Sequence, residues 1–530
     1  MSTAPYTTSV TIGHYDAQGR YIDSDYAGSG ETRIAIGPDG GNFADFNVLQ
    51  FARYGAPGDG TRLPGSTWFG YKPLDPDDLE LSADFAKQNQ NVVSSHAGAA
   101  HIHYSPGDIE IASITAWQYH SKHMMMDADG SPANLFLFGT RARTTAFSQE
   151  IRVSGGDEGF YWTGGIYYLD LDMRATQGLL GAQGSLFGAA FGFPGIGVDV
   201  NRDPDLNTRS LSAFGQAEIG LADKWTLVAG GRVIRERQEY DLVMNFYANE
   251  DDYKVDRNVA VRPYNPPFSD KRSDTLWAGK LQLEYRPTAG LLTYAGINRG
   301  VKGGSYNAPG IGALSQAQIP FDAETLVSYE AGMKLTGNTY ALNLEAFYYD
   351  YQDYQAFLFS SASGIVQNVD SEARGFAADL RVNLTSALSV SIGGAYTHAE
   401  IPDFEVAPGV FRTVRPAYSP RQQLNASVNY EVPADIAGGR LSLNAHANYA
   451  SGFYHNLRNF DGHWFDSRTL FNFSASWQQV DSGLRLTTYL NNAFDERYGL
   501  IGFDNTLFCG CSLESYGPPR TYGVMVGYEF

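Results

Sequence analysis

The feature that most constrains this chain is alternation: segment after segment of roughly 10 to 15 residues carries an apolar side chain at every second position. From Leu441 onward, Leu441, Leu443, Ala445, Ala447 and Tyr449 share one parity, while Ser442, Asn444, His446 and Asn448 share the other. The preceding segment sets Leu424, Ala426, Val428 and Tyr430 against Asn425, Ser427, Asn429 and Glu431. Phe471, Phe473, Ala475 and Trp477 oppose Asn472, Ser474, Ser476 and Gln478; Ala378, Leu380, Val382 and Leu384 oppose Asp379, Arg381 and Asn383. Successive side chains of an extended chain point to opposite sides, so each segment reads as a strand with one apolar and one polar face. A helix would need three- and four-residue spacing, which these segments lack.

About eighteen such strands are legible, the first over residues 7–16, and their connections alternate in length. Short links lie near 105–107, 155–158, 222–224, 287–290, 336–338, 385–387 and 481–483. Long ones lie near 18–90, 122–141, 175–205, 243–271, 301–320, 357–370, 401–420, 452–466 and 492–519; the medium link 431–439 breaks the pattern. Short turns at one end and long loops at the other are the mark of an antiparallel transmembrane β-barrel, with short periplasmic turns and long extracellular loops. Lipid outside and water inside account for both faces of every strand. The rival is a soluble all-β protein, but no propeller-like repeat of about 40 to 50 residues is visible. At the end of the chain Tyr522, Val524, Val526, Tyr528 and Phe530 alternate with Thr521, Gly523, Met525, Gly527 and Glu529. This resembles the assembly signal of bacterial outer-membrane barrels.

Composition agrees, with 58 glycines, 34 tyrosines and 31 phenylalanines favouring strands and turns. A net charge of −20 repels a phosphate backbone, which argues against nucleic-acid binding. The densest basic group is Arg232, Arg235 and Arg237, of which only the last two share a strand face. No apolar stretch reaches the roughly 18 residues of a transmembrane helix. The N-terminal residues have neither a basic n-region nor an apolar h-region, so no signal peptide is expected there. Cys509 and Cys511 form a Cys-Gly-Cys pair in a loop, bridged or left as thiols, and not a metal framework.

Catalytic signatures are missing: there is no Gly-x-Ser-x-Gly elbow, phosphate loop or His-Glu-x-x-His. No enzyme activity and no cofactor are expected. The most metal-like stretch is His120-Ser-Lys-His123-Met-Met-Met126 at a strand end, since imidazole and thioether suit soft ions. Three consecutive methionines cannot all face one site, so an apolar contact surface is the expectation and no metal is assigned. Asp127-Ala-Asp-Gly130 reads as a turn rather than a calcium loop.

Several segments look like the barrel of TonB-dependent receptors. Residues 294–307, Tyr-Ala-Gly-Ile-Asn-Arg-Gly-Val-Lys-Gly-Gly-Ser-Tyr-Asn, resemble the family's strand that ends in a Gly-rich, aromatic-Asn loop. Residues 324–334, Glu-Thr-Leu-Val-Ser-Tyr-Glu-Ala-Gly-Met-Lys, and the aromatic stretch 346–355 are similar to the two strands that follow it there. Residues 147–153 and 162–168 look like its paired strands, and 490–498 with 519–523 complete the order. The resemblance implies a Gram-negative outer-membrane receptor that imports a scarce nutrient, most often a ferric siderophore, with TonB acting through a plug domain. Family barrels have about 22 strands, against about eighteen here. The family's plug, TonB-contacting box and signal peptide are not seen before the first strand. Residues 1–530 therefore read as an N-terminally incomplete barrel domain without a plug, whose TonB coupling requires a plug-bearing form. A plugless passive porin of eighteen strands stays open beside the importer.

Ligand recognition is expected in the extracellular loops and upper lumen. Their aromatic residues include Trp68, Phe69, Tyr71, Phe187, Phe191, Tyr306, Phe357, Phe359, Tyr454, His455, Phe460, Trp464 and Phe465. Rings can stack on siderophores, sugars or flat macrocycles, or else belong to the interfacial girdles. Arg299, Lys302, Arg412, Arg415 and Arg458 would attract an anionic ferric complex. The selected ligand-binding candidates are Arg299, Lys302, Tyr306, Asn307, Phe357, Tyr454, Arg458 and Trp464.

Overall fold

The computed structural model describes residues 6–10, 14–15, 21–22, 90–128, 137–181, 197–249, 260–308, 310, 314–360, 363–407, 409–480, 482–505 and 511–529. Eighteen strands are arranged as a closed barrel. In chain order they begin with Gln90–Tyr104, Ile109–Asp127, Leu137–Gly156, Phe160–Gly181, Gly197–Ala222 and Trp225–Asn249. Next come Ala260–Thr288, Leu291–Lys302, Glu324–Thr336, Tyr340–Ser360, Ser363–Asn383 and Leu388–Ala407. Val410–Val414, Gln422–Glu431, Gly439–Ala450, Arg468–Gln479, Leu484–Asn491 and Thr521–Tyr528 complete the set. Among the described residues the helices are two single 3-10 turns, Gln316–Gln318 and Asp461–His463.

Staves that follow one another in the chain are antiparallel, and the register carries the alternation from strand to strand. Leu335 faces Leu342, Leu342 faces Leu380, and Leu380 faces Ile392. Ile392 then faces Ala426, Ala426 faces Ala447, and Ala447 faces Phe471. Cross-strand partners share a face, so these residues form one apolar band around the outside. Val233 (56% exposed), Trp277 (54%), Phe376 (60%) and Leu424 (54%) lie in it, unlike apolar side chains of a soluble fold. The opposite parity supplies Arg152, Arg232, Lys280 and Glu330 to the lumen. A soluble sandwich would reverse these exposures. Water is excluded instead at the long-loop end, where Ala356, Leu358, Ile401, Phe404, Val406, Val414, Leu457 and Phe460 pack together.

Three details depart from the sequence expectations. The segment expected to be the first stave divides, and its Tyr6–Val10 part pairs with Cys511–Tyr516 in a separate three-stranded sheet completed by Gly499–Asn505. Strands run on into the expected long links: Tyr340–Ser360 and Ser363–Asn383 pair as far as Ser360 and Ser363. Val410–Val414 is a short strand folded back on the upper part of Leu388–Ala407, whose lower part pairs with Gln422–Glu431. Removing this short strand from eighteen leaves seventeen staves. Because each stave reverses the last, Gln90–Tyr104 and Thr521–Tyr528 run in the same direction where the ring meets itself.

Candidate functional site: a cationic, aromatic pocket at the barrel mouth

A polar pocket above the barrel is built on the folded-back strand Val410–Val414 and the loop 451–467. It has a volume of about 250 Å³ and is lined by Glu400, Arg412, Thr413, Val414, Arg415, Arg421, Tyr454 and Asn459. Val414 and Leu457 bury into the apolar cluster of the loops, which fixes the segments that carry the arginines.

Asn459 locks the two segments together. Its backbone is left-handed, with φ 52°, a conformation asparagine tolerates better than most residues. Arg415 N donates to its Oδ1 at 2.7 Å, and its Nδ2 donates to Arg415 O at 3.0 Å. The same Nδ2 reaches Asn456 O at 3.0 Å and Leu457 O at 3.3 Å. Asn456 in turn ties the loop to the Tyr340–Ser360 strand by donating to Phe359 O at 2.7 Å.

The guanidinium groups are held from behind. Arg412 Nη2 donates to Arg458 O at 2.8 Å, and Arg415 Nη2 donates to Ser419 O at 2.9 Å. Arg415 also lies 5.9 Å from the Tyr454 ring and 5.6 Å from the Trp464 ring, within cation–π range. Tyr454 and Trp464 meet edge to face at 4.9 Å. Burial first, and then the neighbouring Arg421, pull the Arg415 guanidinium below its usual pKa. Crowded cations of this kind favour an anion between them, with Glu400 the one carboxylate in the lining.

The sequence candidates divide in space. Tyr454, Arg458 and Trp464 meet in this loop, together with Arg412 and Arg415. Arg458 is turned away from the pocket, its Nη1 3.4 Å from the buried Asp504 carboxylate. Tyr306 is packed in the neighbouring loop, stacked on Tyr240 at 4.6 Å and donating to Asp270 Oδ2 at 3.0 Å. Asn307 there bridges backbone groups, donating to Gln318 O and Val366 O and accepting from Val366 N. Lys302 ends its strand opposite Glu324, and Phe357 is 57% exposed on another strand. Arg299 lies on the barrel exterior with its guanidinium 4.2 Å over Trp277. Trp68, Phe69, Tyr71, Phe187, Phe191 and Cys509 lie outside the described residues, as do Asp129 and Gly130 of the expected turn. Arg421, Asn459 and Glu400 escaped the sequence reading. Only Asn459, in Arg-Asn-Phe-Asp-Gly, carried a turn-type signal.

The His- and Met-rich stretch is part of the strand Ile109–Asp127, where His120 and His123 fall on opposite faces. His120 Nδ1 lies 2.8 Å from Ser95 Oγ, and Met125 is buried against Leu137 and Leu180. Among the described residues no three His, Cys, Asp or Glu side chains converge as a metal site.

Comparison with known proteins decides the family. The model of the TonB-dependent receptor-like β-barrel matches residues 12–493. The chain belongs to this family. Its members are transport receptors of the outer membrane. Over 271 residues the receptor barrel is 25% identical to the pesticin receptor of Yersinia pestis, a match covering 50% of this chain and 38% of that protein. Its fold superposes on the ferric yersiniabactin uptake receptor of Yersinia pestis with a TM-score of 0.66 at 18% identity, covering 82% of this chain and 60% of that one. The siderophore receptor PiuA of Acinetobacter baumannii gives 0.64 at 15% identity, with 83% and 64% covered. The chain thus spans less than two thirds of the length of these relatives.

Proposed function

We propose that this chain forms the barrel and ligand-capturing mouth of an outer-membrane receptor that imports an anionic iron complex, a ferric siderophore. The observation that carries the reading is the convergence of Arg412, Arg415 and Arg421 beside Tyr454 in a loop pocket packed against its own apolar core. Guanidinium groups recognise carboxylate and phenolate oxygens through charge-assisted hydrogen bonds, and the aromatic wall covers a flat ligand face. A volume of about 250 Å³ admits one such group, so the rest of the complex lies over the open mouth.

Import against a gradient requires TonB acting through a plug. We read residues 1–530 as the barrel domain, with the plug supplied by a further part of the receptor. The like-directed strands at the seam support this reading. An odd number of added strands restores antiparallel neighbours, and about five added to seventeen makes about 22. The mass of the protein extracted from native outer membranes checks it: a mature species near 58.0 kDa with an open conducting pore would overturn it.

The ligand assignment is tested with Arg415→Ala and Arg421→Ala together, measuring binding of ferric citrate and of a ferric catecholate by calorimetry. Loss of two charge-assisted contacts predicts at least about tenfold weaker binding of one of them. Unchanged binding of both, or binding of neither by the parent protein, removes the siderophore reading.

A further inference from the structure

The lumen holds a second cationic hollow, towards the short-turn end of the barrel and away from the mouth pocket. It has a volume of about 580 Å³, and its lining includes Arg152, Thr163, Phe214, Gln216, Arg232 and Lys280. Arg152 and Thr163 lie close to the short turn 157–159 that joins their strands. The register explains why these side chains meet. Ser154 faces Thr163, Thr163 faces Gln216, Gln216 faces Gly230, and Gly230 faces Lys280. The adjoining row of the same face runs Arg152, Gly165, Phe214, Arg232 and Ala278. Cross-strand partners share a face, so both rows point into the lumen. The wall is hollowed where Gly165, Gly230 and Ala278 offer little or no side chain. A Cβ on Gly165 would stand 2.8 Å from the Phe214 ring, so the close seat of that ring requires glycine.

The polar groups of this hollow are not satisfied from within the protein. The Arg232 guanidinium lies 5.5 Å from the Tyr167 ring and 5.9 Å from the Phe214 ring. Ring faces hold a cation in place but accept none of its hydrogen bonds in the plane. Arg232 Nε is buried without a hydrogen-bond partner, and so is Thr163 Oγ1 in the same lining. Such orphaned donors are costly unless a ligand fills them. Neither Arg232 nor Lys280 forms an ion pair among the described residues. The lumenal carboxylates nearby are engaged elsewhere. Glu110 lies 3.1 Å from His103 Nδ1, Glu150 lies 3.6 Å from Arg152, Glu218 accepts from Gln216 at 3.5 Å, and Glu284 accepts from Arg286 at 2.5 Å.

We propose that this hollow is a second anion site, which takes a carboxylate or phenolate carried on a flat ring as cargo passes from the mouth towards the short-turn end. The inference rests on the anionic cargo proposed above and names a further place that holds it. Arg232 and Lys280 supply the charge-assisted donors, Thr163 a hydroxyl, and Phe214 with Tyr161 the ring wall. Two cationic stations in series keep an anion attracted inside a chain whose net charge is −20. An acidic side chain of a plug would bring the same oxygens without a ring, and the ring wall favours the cargo.

The test uses the full chain carrying Arg415→Ala and Arg421→Ala, which removes two mouth cations and leaves the lower hollow intact. Binding of salicylate, of uncharged salicylamide and of acetate is measured by calorimetry in detergent, before and after adding Arg232→Gln and Lys280→Gln. A heat-modifiable gel shift confirms that each barrel is folded. Salicylate should bind, with salicylamide and acetate each at least about tenfold weaker, and the two added substitutions should weaken salicylate by about tenfold or more. Lys280→Gln alone, at an exposed lumenal position, should weaken it about threefold and serves if the double substitution unfolds the barrel. No salicylate binding, or binding that the lumenal substitutions leave unchanged, overturns the proposal without touching the mouth assignment. Salicylamide bound as well as salicylate would remove the anion site. Acetate bound as well as salicylate would assign the hollow to a plug carboxylate and overturn the role in cargo passage.

Discussion

At the scale of single residues, the mouth loop depends on side chains that replace regular backbone pairing. Asn459 satisfies four backbone groups, the N–H and carbonyl of Arg415 and the carbonyls of Asn456 and Leu457, so Asn459→Ala should leave buried backbone groups unpaired and lower local stability by about 2–3 kcal/mol. Hydrogen exchange over 410–415 and 451–467 measures this; unchanged protection would show that the apolar cluster alone holds the pocket. Protons act on the same region. Burial pushes the His455 imidazole down to about 4, beside the buried His463 and Asp504. Above pH 6.5 the imidazole is neutral in both the packed and the released loop. As pH falls from 6.5 towards 4, the released loop takes up a proton that the packed one refuses, and stability declines. Glu514 acts in the opposite sense. Burial raises its carboxyl to about 7, so its stabilising contribution is full below about 4.5 and lost as pH rises towards 7. Glu514→Gln should therefore increase exchange protection of the Cys511–Tyr516 strand at pH 7.5, by up to about 3 kcal/mol, and change nothing at pH 4. Equal protection of parent and variant at pH 7.5 would contradict it.

At the scale of elements, the small sheet over the mouth docks through glycine. A Cβ on Gly502 would stand 2.4 Å from the His455 ring, and one on Gly499 would stand 2.4 Å from the Phe465 ring. The Tyr418 hydroxyl accepts from Gly502 N at 3.1 Å, a third point of attachment. Gly502→Val should push the Gly499–Asn505 strand off the loop at a cost of about 1–3 kcal/mol. Limited proteolysis would detect the separation as new cleavage within 499–516; an unaltered digest would mean that the sheet is held elsewhere. The strand extensions follow the same logic: beyond the membrane, pairing continues wherever side chains such as Leu358 and Val406 find a buried partner.

At the scale of the whole molecule, an apolar exterior and a polar lumen make a prediction that no soluble fold shares. Ile392→Lys, facing lipid, should destabilise the reconstituted barrel by about 2–4 kcal/mol, whereas Ser427→Lys at the same height on the lumenal side should cost little. Urea titration in lipid separates the two, and similar costs would contradict the assigned faces. From Gln90 onward the staves, their inside-outside parity and the turn end of the barrel were legible in the sequence, whereas the segment over 7–16 has the alternation without being a stave. A two-residue period is a local property of the extended backbone, and a membrane on one side with water on the other leaves its mark on every strand. The shared face of Arg235 and Arg237 was readable for the same reason. The pocket was not. Arg412, Arg415, Arg421 and Tyr454 come from segments whose meeting depends on a folded-back strand, a left-handed Asn459 and an apolar cluster assembled from four parts of the chain. Tyr306 and Asn307, candidates by composition, became packing residues for that same cause. Periodicity travels along the chain, whereas convergence of loops is decided by contacts between residues far apart in it, and only the tertiary structure records those.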